Sequence, residues 1–148
     1  MIYLGADHRG YNLKEKIKSW LSEWGYEHED VGAFEYNQDD DYPDFISKAA
    51  EKVSKDAGNS KGIILGGSGQ GEAMVANRYP NVRAAVYYGG TEEIIKLSRE
   101  HNDANMLSLG ASFTDEETAK KMIELWLNTS FSDEERHKRR IHKIEKRK

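Results

Sequence analysis

Residues 66–72 read Gly-Gly-Ser-Gly-Gln-Gly-Glu and follow the apolar run 62–65. Glycine at this density after a strand makes a loop whose backbone can wrap an anion. Two nucleotide-binding loops share that character, and both fail here on residue identity. The dinucleotide fingerprint G-x-G-x-x-G, started at Gly67, puts Glu72 where its third glycine belongs; started at Gly66, it puts Ser68 at the second. A P-loop ends in Gly-Lys-Ser/Thr, whereas Gly71 is followed by Glu72 and Ala73. What remains is a strand, a glycine turn and a helix N-terminus, whose N–H groups can stabilise an oxyanion formed during a reaction. A carboxylate beside such a cradle suits proton abstraction next to a carbonyl: the base takes the proton and the N–H groups hold the enediolate. The same spacing fits Glu72 as a first-turn helix residue favourable to the helix dipole, and spacing alone leaves both readings open.

Three further groups could do chemistry. Asp7 and His8 follow the first apolar segment. His101 and Asn102 lie in Arg-Glu-His-Asn, where an imidazole could exchange protons near neutral pH or simply close a helix. Arg136 and Arg140 stand four apart, on one face if helical, and suit a phosphate because the guanidinium donates in a fixed fork. They begin a basic tail, 136–148, with eight Lys/Arg against Glu145, a formal +7 that leaves −11 on the rest of a chain of net charge −4. Aromatic residues do not interleave with this tail, which argues against single-stranded nucleic acid as its partner. Asp39, Asp40 and Asp41 lack the spacing of a calcium loop and read as solvated. No metal constellation is apparent.

The elements that must position these residues follow from apolar periodicity. Short strands are expected at 2–5, 26–32, 61–67, 82–88 and 105–110. Leu13, Ile17, Trp20, Leu21 and Trp24 make one helix face, stopped by Gly25; Phe45, Ile46, Ala49, Ala50 and Val53 make another, with Pro43 near its start. Further helices are expected from about Gly71 and from Thr91, from a Thr114–Glu117 capping box, and from a Ser132–Glu135 capping box that opens a C-terminal basic helix over about 132–146. Five strands alternating with helices predict a parallel sheet covered on both faces, with ligands at the carboxyl ends of the strands. The 148 residues suit one domain, 1–148. The absence of cysteine excludes disulfides, thiolate metal sites and cysteine nucleophiles. No run of 18 apolar residues offers a transmembrane span, so a cytoplasmic protein without membrane partners is the expectation.

Over its whole length the chain resembles the ribose-5-phosphate isomerase B family, which includes galactose and allose 6-phosphate isomerases. The matching segments are GADHRGYNLK from Gly5, DYPDF from Asp41, GIILGGSGQGEAMVANR from Gly62, REHNDANMLSLGA from Arg99 and RHKRR from Arg136. One branch of that family carries its catalytic base as a cysteine directly after the third strand, where this chain has Gly66; the other carries a glutamate at the loop end, matched by Glu72. The resemblance implies a three-layer α/β/α fold with Rossmann-like strand order 2-1-3-5-4. It implies aldose–ketose isomerisation of ribose 5-phosphate without a cofactor, in a homodimer or dimer of dimers whose sites draw on two subunits. Glu72 would be the base, Ser68 a proton relay and His101 the acid/base that opens the sugar ring. The backbone of Gly67, Gly69, Gln70 and Gly71 would form the oxyanion cradle. Asp7 and Asn102 would bind sugar hydroxyls, His8 would lie near the phosphate, and Arg136 and Arg140 would clamp it. Many relatives add an arginine after the fifth strand, where this chain has Ser112, an uncharged donor. A hexose 6-phosphate isomerase of the same mechanism is the nearest alternative. A non-catalytic nucleotide-binding module and a nucleic-acid binder acting through the tail are the rivals from other classes.

Overall fold

The computed structural model describes residues 1–147. Its strands are β1 (Ile2–Ala6), β2 (His28–Asp30), β3 (Lys61–Gly66), β4 (Ala84–Tyr87) and β5 (Met106–Gly110). They form one all-parallel sheet in the order β2-β1-β3-β5-β4, as the alternation and the resemblance lead one to expect. The helices are α1 (Tyr11–Glu23), α2 (Pro43–Lys55), α3 (Gln70–Ala76), α4 (Glu93–Glu100), α5 (Glu116–Asn128) and α6 (Glu135–Glu145).

Period-two alternation along the central strands feeds two cores. Leu4, Ile63, Leu65, Leu107 and Leu109 meet Ile17, Trp20 and Leu21 of α1, Ile95 of α4, and Met122, Ile123 and Trp126 of α5. On the other face Ile64 and Met106 meet Ile46, Ala50 and Val53 of α2 and Ala76 of α3. The edges are the polar β2 and the short β4. β2 is shorter than the segment expected at 26–32, although Val31 and Ala33 still donate to Leu4 and Ala6 of β1. Lys14 of α1 is fully buried; its Nζ lies 2.6 Å from Asp30 Oδ2 and 2.7 Å from the Ala33 carbonyl, tying α1 to the chain leaving β2. Burial alone would raise Asp30, but Lys14, the Gly32 N–H and Lys18 together hold it below the ordinary aspartate value.

Both expected capping boxes are corrected. The N-cap of α5 is Asp115, whose carboxylate accepts from the Thr118 N–H at 2.7 Å; Thr114 is buried one residue earlier. The last helix begins at Glu135 with Glu134 as N-cap, because Ser132 instead donates its N–H to the Glu100 carbonyl and pins the incoming chain to the end of α4. The helix expected from Thr91 starts at Glu93, with the Thr91 hydroxyl accepting from the Glu93 N–H at 3.2 Å.

Candidate active site

In a parallel sheet the loop after each strand sits at the carboxyl edge, and each helix runs back to the amino edge. The expected site residues therefore sort into two groups at opposite edges.

At the carboxyl edge, Gly69 takes φ +78° as the N-cap of α3, a left-handed conformation that glycine adopts without strain and that turns β3 into the helix within three residues. Buried Ser108 of β5 donates to the Gly69 carbonyl at 2.6 Å, and Ala111 and Ser112 donate their N–H groups to Gly66 and Gly67 at 2.8 and 3.0 Å. The glycine loop is thus stitched to the turn after β5. The Ser68 hydroxyl accepts from the Gln70 N–H at 3.3 Å, closing a serine turn. Tyr42 covers the loop, its hydroxyl 2.6 Å from where a Cβ on Gly71 would stand.

Glu72, in the first turn of α3, is only 4% exposed, with its carboxylate against Gly66. Loss of water is the largest influence on it and pushes its pKa up; its own backbone N–H opposes this, and the charge of Asp7 adds to the rise. Desolvation outweighs the helix terminus, a balance that sequence could not decide. Asp7 is itself buried, its Oδ1 accepting from the Arg9 N–H at 2.9 Å.

His8 is held by a partner that the sequence reading placed in solvent. Asp40 accepts from the His8 backbone at 3.1 Å and lies 2.7 Å from Nδ1, with only 7% of its side chain exposed. This corrects the reading of Asp40 as solvated; Asp39 and Asp41 are exposed, as expected. A carboxylate on Nδ1 fixes the imidazole so that Nε2 is the nitrogen left for a ligand. Asp7, His8 and Asp40 each offer an atom within 4.8 Å of the others, a spacing a cation could span, but Nδ1 is already engaged by Asp40.

The second group is at the amino edge. His101 is the C-cap of α4 and Asn102 follows it. The Asn102 carbonyl accepts from Arg83 Nε, just before β4, at 3.1 Å. Arg99, almost buried, holds this corner through Asp103 (2.9 Å), the Ala104 carbonyl (2.7 Å) and the Thr129 carbonyl (3.0 Å). His101 stacks on His137 of α6, with centroids 4.2 Å apart and planes 18° from parallel. Burial, then the neighbouring His101 and Arg136, lower the His137 pKa. Arg136, beside it, pairs with Glu134. Asn102 and Arg83 share an open groove of about 590 Å³ with Lys143, Ile144 and Arg147.

Within one chain the structure thus brings Asp7, His8, Ser68, Glu72 and Ser112 to one edge, and His101 and Arg136 to the other. The two edges are separated by the length of β5, five residues at roughly 3.3 Å each. Among the described residues no hydrogen bond, ion pair or ring contact joins the groups. Sequence reasoning missed Asp40 and His137 as site neighbours. His137 could have been found from its place directly after Arg136; nothing in the local pattern marks Asp40.

A model of the ribose/galactose isomerase family matches residues 2–144. The chain belongs to the ribose/galactose isomerase family. Ribose-5-phosphate isomerase B of Mycobacterium tuberculosis is 41% identical over 140 residues, covering 95% of this chain and 85% of the relative. The crystal structure of ribose-5-phosphate isomerase B from Mycoplasma genitalium, with bound ribulose 5-phosphate, superposes with a TM-score of 0.94 at 34% identity, over 99% of this chain and 94% of that one. The Clostridium thermocellum enzyme gives 0.91 at 40% identity, over 98% and 95%. Family membership accounts for the five-stranded order. Among the described residues no helix is long and apolar enough to cross a membrane.

Proposed function

We propose that this chain interconverts ribose 5-phosphate and ribulose 5-phosphate, with Glu72 as the base. The observation that carries this reading is the buried Glu72 carboxylate against the glycine loop, with its pKa raised by loss of water. A carboxylate so placed is a stronger base than one in water. The relative whose structure holds ribulose 5-phosphate supports the choice of a pentose phosphate.

In the forward direction the ring opens first. Glu72 then takes the proton from C2 of the free aldehyde, and the electrons move onto O1 to give the enediolate. A proton passes from O2 to O1, for which the Ser68 hydroxyl is the nearby relay, and Glu72 returns its proton to C1. Oxidation at C2 balances reduction at C1, so no external electron carrier enters. Backbone N–H groups of Gly67 to Gly71 receive the developing charge; Asp7 and Asn102 bind hydroxyls; His8, held by Asp40, Ser112, Arg136 and Arg140 receive the phosphate.

His101, Asn102, Arg136 and Arg140 fit these roles only if they come from a second copy, since their own chain holds them at the far edge of the sheet. We therefore read the protein as a single-domain, cytoplasmic homodimer or dimer of dimers with shared sites. The deciding experiment is a panel of five- and six-carbon aldose phosphates assayed for ketose formation. Turnover of ribose 5-phosphate above the hexose phosphates is expected; no turnover of any member overturns the reading.

A further inference from the structure

Arg9 follows Asp7 and His8 and had no assigned part. Its side chain is exposed, yet it returns toward the glycine loop. A Cβ on Gly67 would stand 3.3 Å from Arg9 Nε, 3.5 Å from Nη2 and 3.6 Å from Ser112 Oγ. The guanidinium and the Ser112 hydroxyl therefore converge on one point at the carboxyl edge. Among the described residues the guanidinium has neither an ion-pair nor a hydrogen-bond partner, although buried Asp7 and Glu72 lie in the same site.

A cation at the mouth of the site that pairs with neither Asp7 nor Glu72 is available to an anion from outside. The arginines of α6 lie at the opposite edge of the same chain. Arg9 is thus the arginine this subunit brings to its own glycine loop. Its exposure puts it at the mouth of the site, whereas the base is buried. The reacting carbons belong with Glu72, and the charged end of an extended substrate belongs at the rim.

We propose that Arg9, together with Ser112, forms the subsite for the dianionic phosphate of the substrate, with Arg9 supplying the charge that the uncharged Ser112 lacks. This rests on the sugar-phosphate reading above. The fork of Nε and Nη2 faces one side and can donate two parallel hydrogen bonds to a phosphate, with Ser112 Oγ as a third donor.

The test combines Arg9→Ala, Arg9→Lys and the double variant Arg9→Ala/Ser112→Arg. Steady-state kinetics with ribose 5-phosphate, competition by inorganic phosphate, and calorimetric titration of inorganic phosphate into the intact protein are measured. Loss of a charge-assisted contact predicts that Arg9→Ala raises KM and the phosphate inhibition constant by about 10- to 100-fold, with the loss in KM rather than kcat. Arg9→Lys falls between, because it keeps the charge and loses the fork. The double variant recovers phosphate affinity, since an arginine from 112 approaches the same point. Unchanged KM and phosphate affinity in Arg9→Ala overturn the proposal. So does a loss confined to kcat, which would put Arg9 at the reacting carbons, or a double variant that recovers nothing. Should the unmodified protein turn over no sugar phosphate, the calorimetric arm still reads phosphate binding at Arg9, so the two readings fail separately.

Discussion

The carboxylate of Glu72 fills the space that a side chain on residue 66 would need: a Cβ on Gly66 would collide with Glu72 Oε1. A side chain on residue 66 and the Glu72 carboxylate thus reach one point from two directions, and each excludes the other. Glu72→Gln should lower kcat on the order of 10²–10⁴-fold, since it keeps the shape and removes the base. Gly66→Ala should lower kcat too, by displacing the carboxylate. Gly66→Cys combined with Glu72→Ala should recover activity over Glu72→Ala alone and become sensitive to a thiol alkylating agent. A double variant no better than the single one would show that the two positions do not address the same carbon.

The raised pKa of Glu72 sets a pH dependence with a definite sign. The acid limb of kcat/KM should lie above the ordinary glutamate value of about 4.3 and vanish in Glu72→Gln. For stability, a carboxylate whose folded pKa exceeds its unfolded one favours the fold below the unfolded value, and loses that advantage as pH rises through the folded value. Glu72→Gln should therefore gain stability relative to the parent near neutrality, and less below the ordinary glutamate pKa. Urea melts at both pH values check this; an equal difference at both would contradict the burial argument.

Lys14→Met leaves Asp30 with Lys18 as its remaining lysine, at 2.9 Å, and removes the donor from the Ala33 carbonyl. Removing one partner of a buried pair predicts a cost of about 3 kcal/mol, measured by denaturant titration. Asp30, held low in the fold, contributes stability above its unfolded pKa that is lost as pH falls through the folded one. The variant should lose less stability on acidification than the parent.

The two chemical steps separate by substrate. A four-carbon aldose 4-phosphate cannot close a furanose ring and so needs no opening. His101→Asn should be slow with ribose 5-phosphate and much less impaired with the four-carbon sugar, whereas Glu72→Gln should fail with both. Equal loss on both substrates for His101→Asn would give that histidine a part in proton transfer itself.

Much of this was legible in the chain. The parallel sheet follows from alternating periods, and the glycine loop with Glu72 from residue identity. The order β2-β1-β3-β5-β4 came only with the resemblance, because periodicity does not say which strands are neighbours. Capping boxes misled because Thr114 and Ser132 have the right spacing, while Asp115 is the better-placed acceptor and the Ser132 backbone is drawn to α4. Asp40 looked solvated because its neighbours are; a loop 32 residues away from His8 folds it under the imidazole. The direction of the Glu72 shift depended on how much water the fold removes, a quantity with no local signature.

The separation of His101 from Glu72 by the length of a strand has a consequence for inheritance. If each site borrows its histidine from the neighbouring copy, a hybrid of a Glu72→Gln chain and a His101→Asn chain gathers both lesions into one site and leaves the other whole. Two alleles that are each silent alone would then rescue one another in a single cell, to about half the activity per hybrid pair. Sites contained within one chain would give no such rescue.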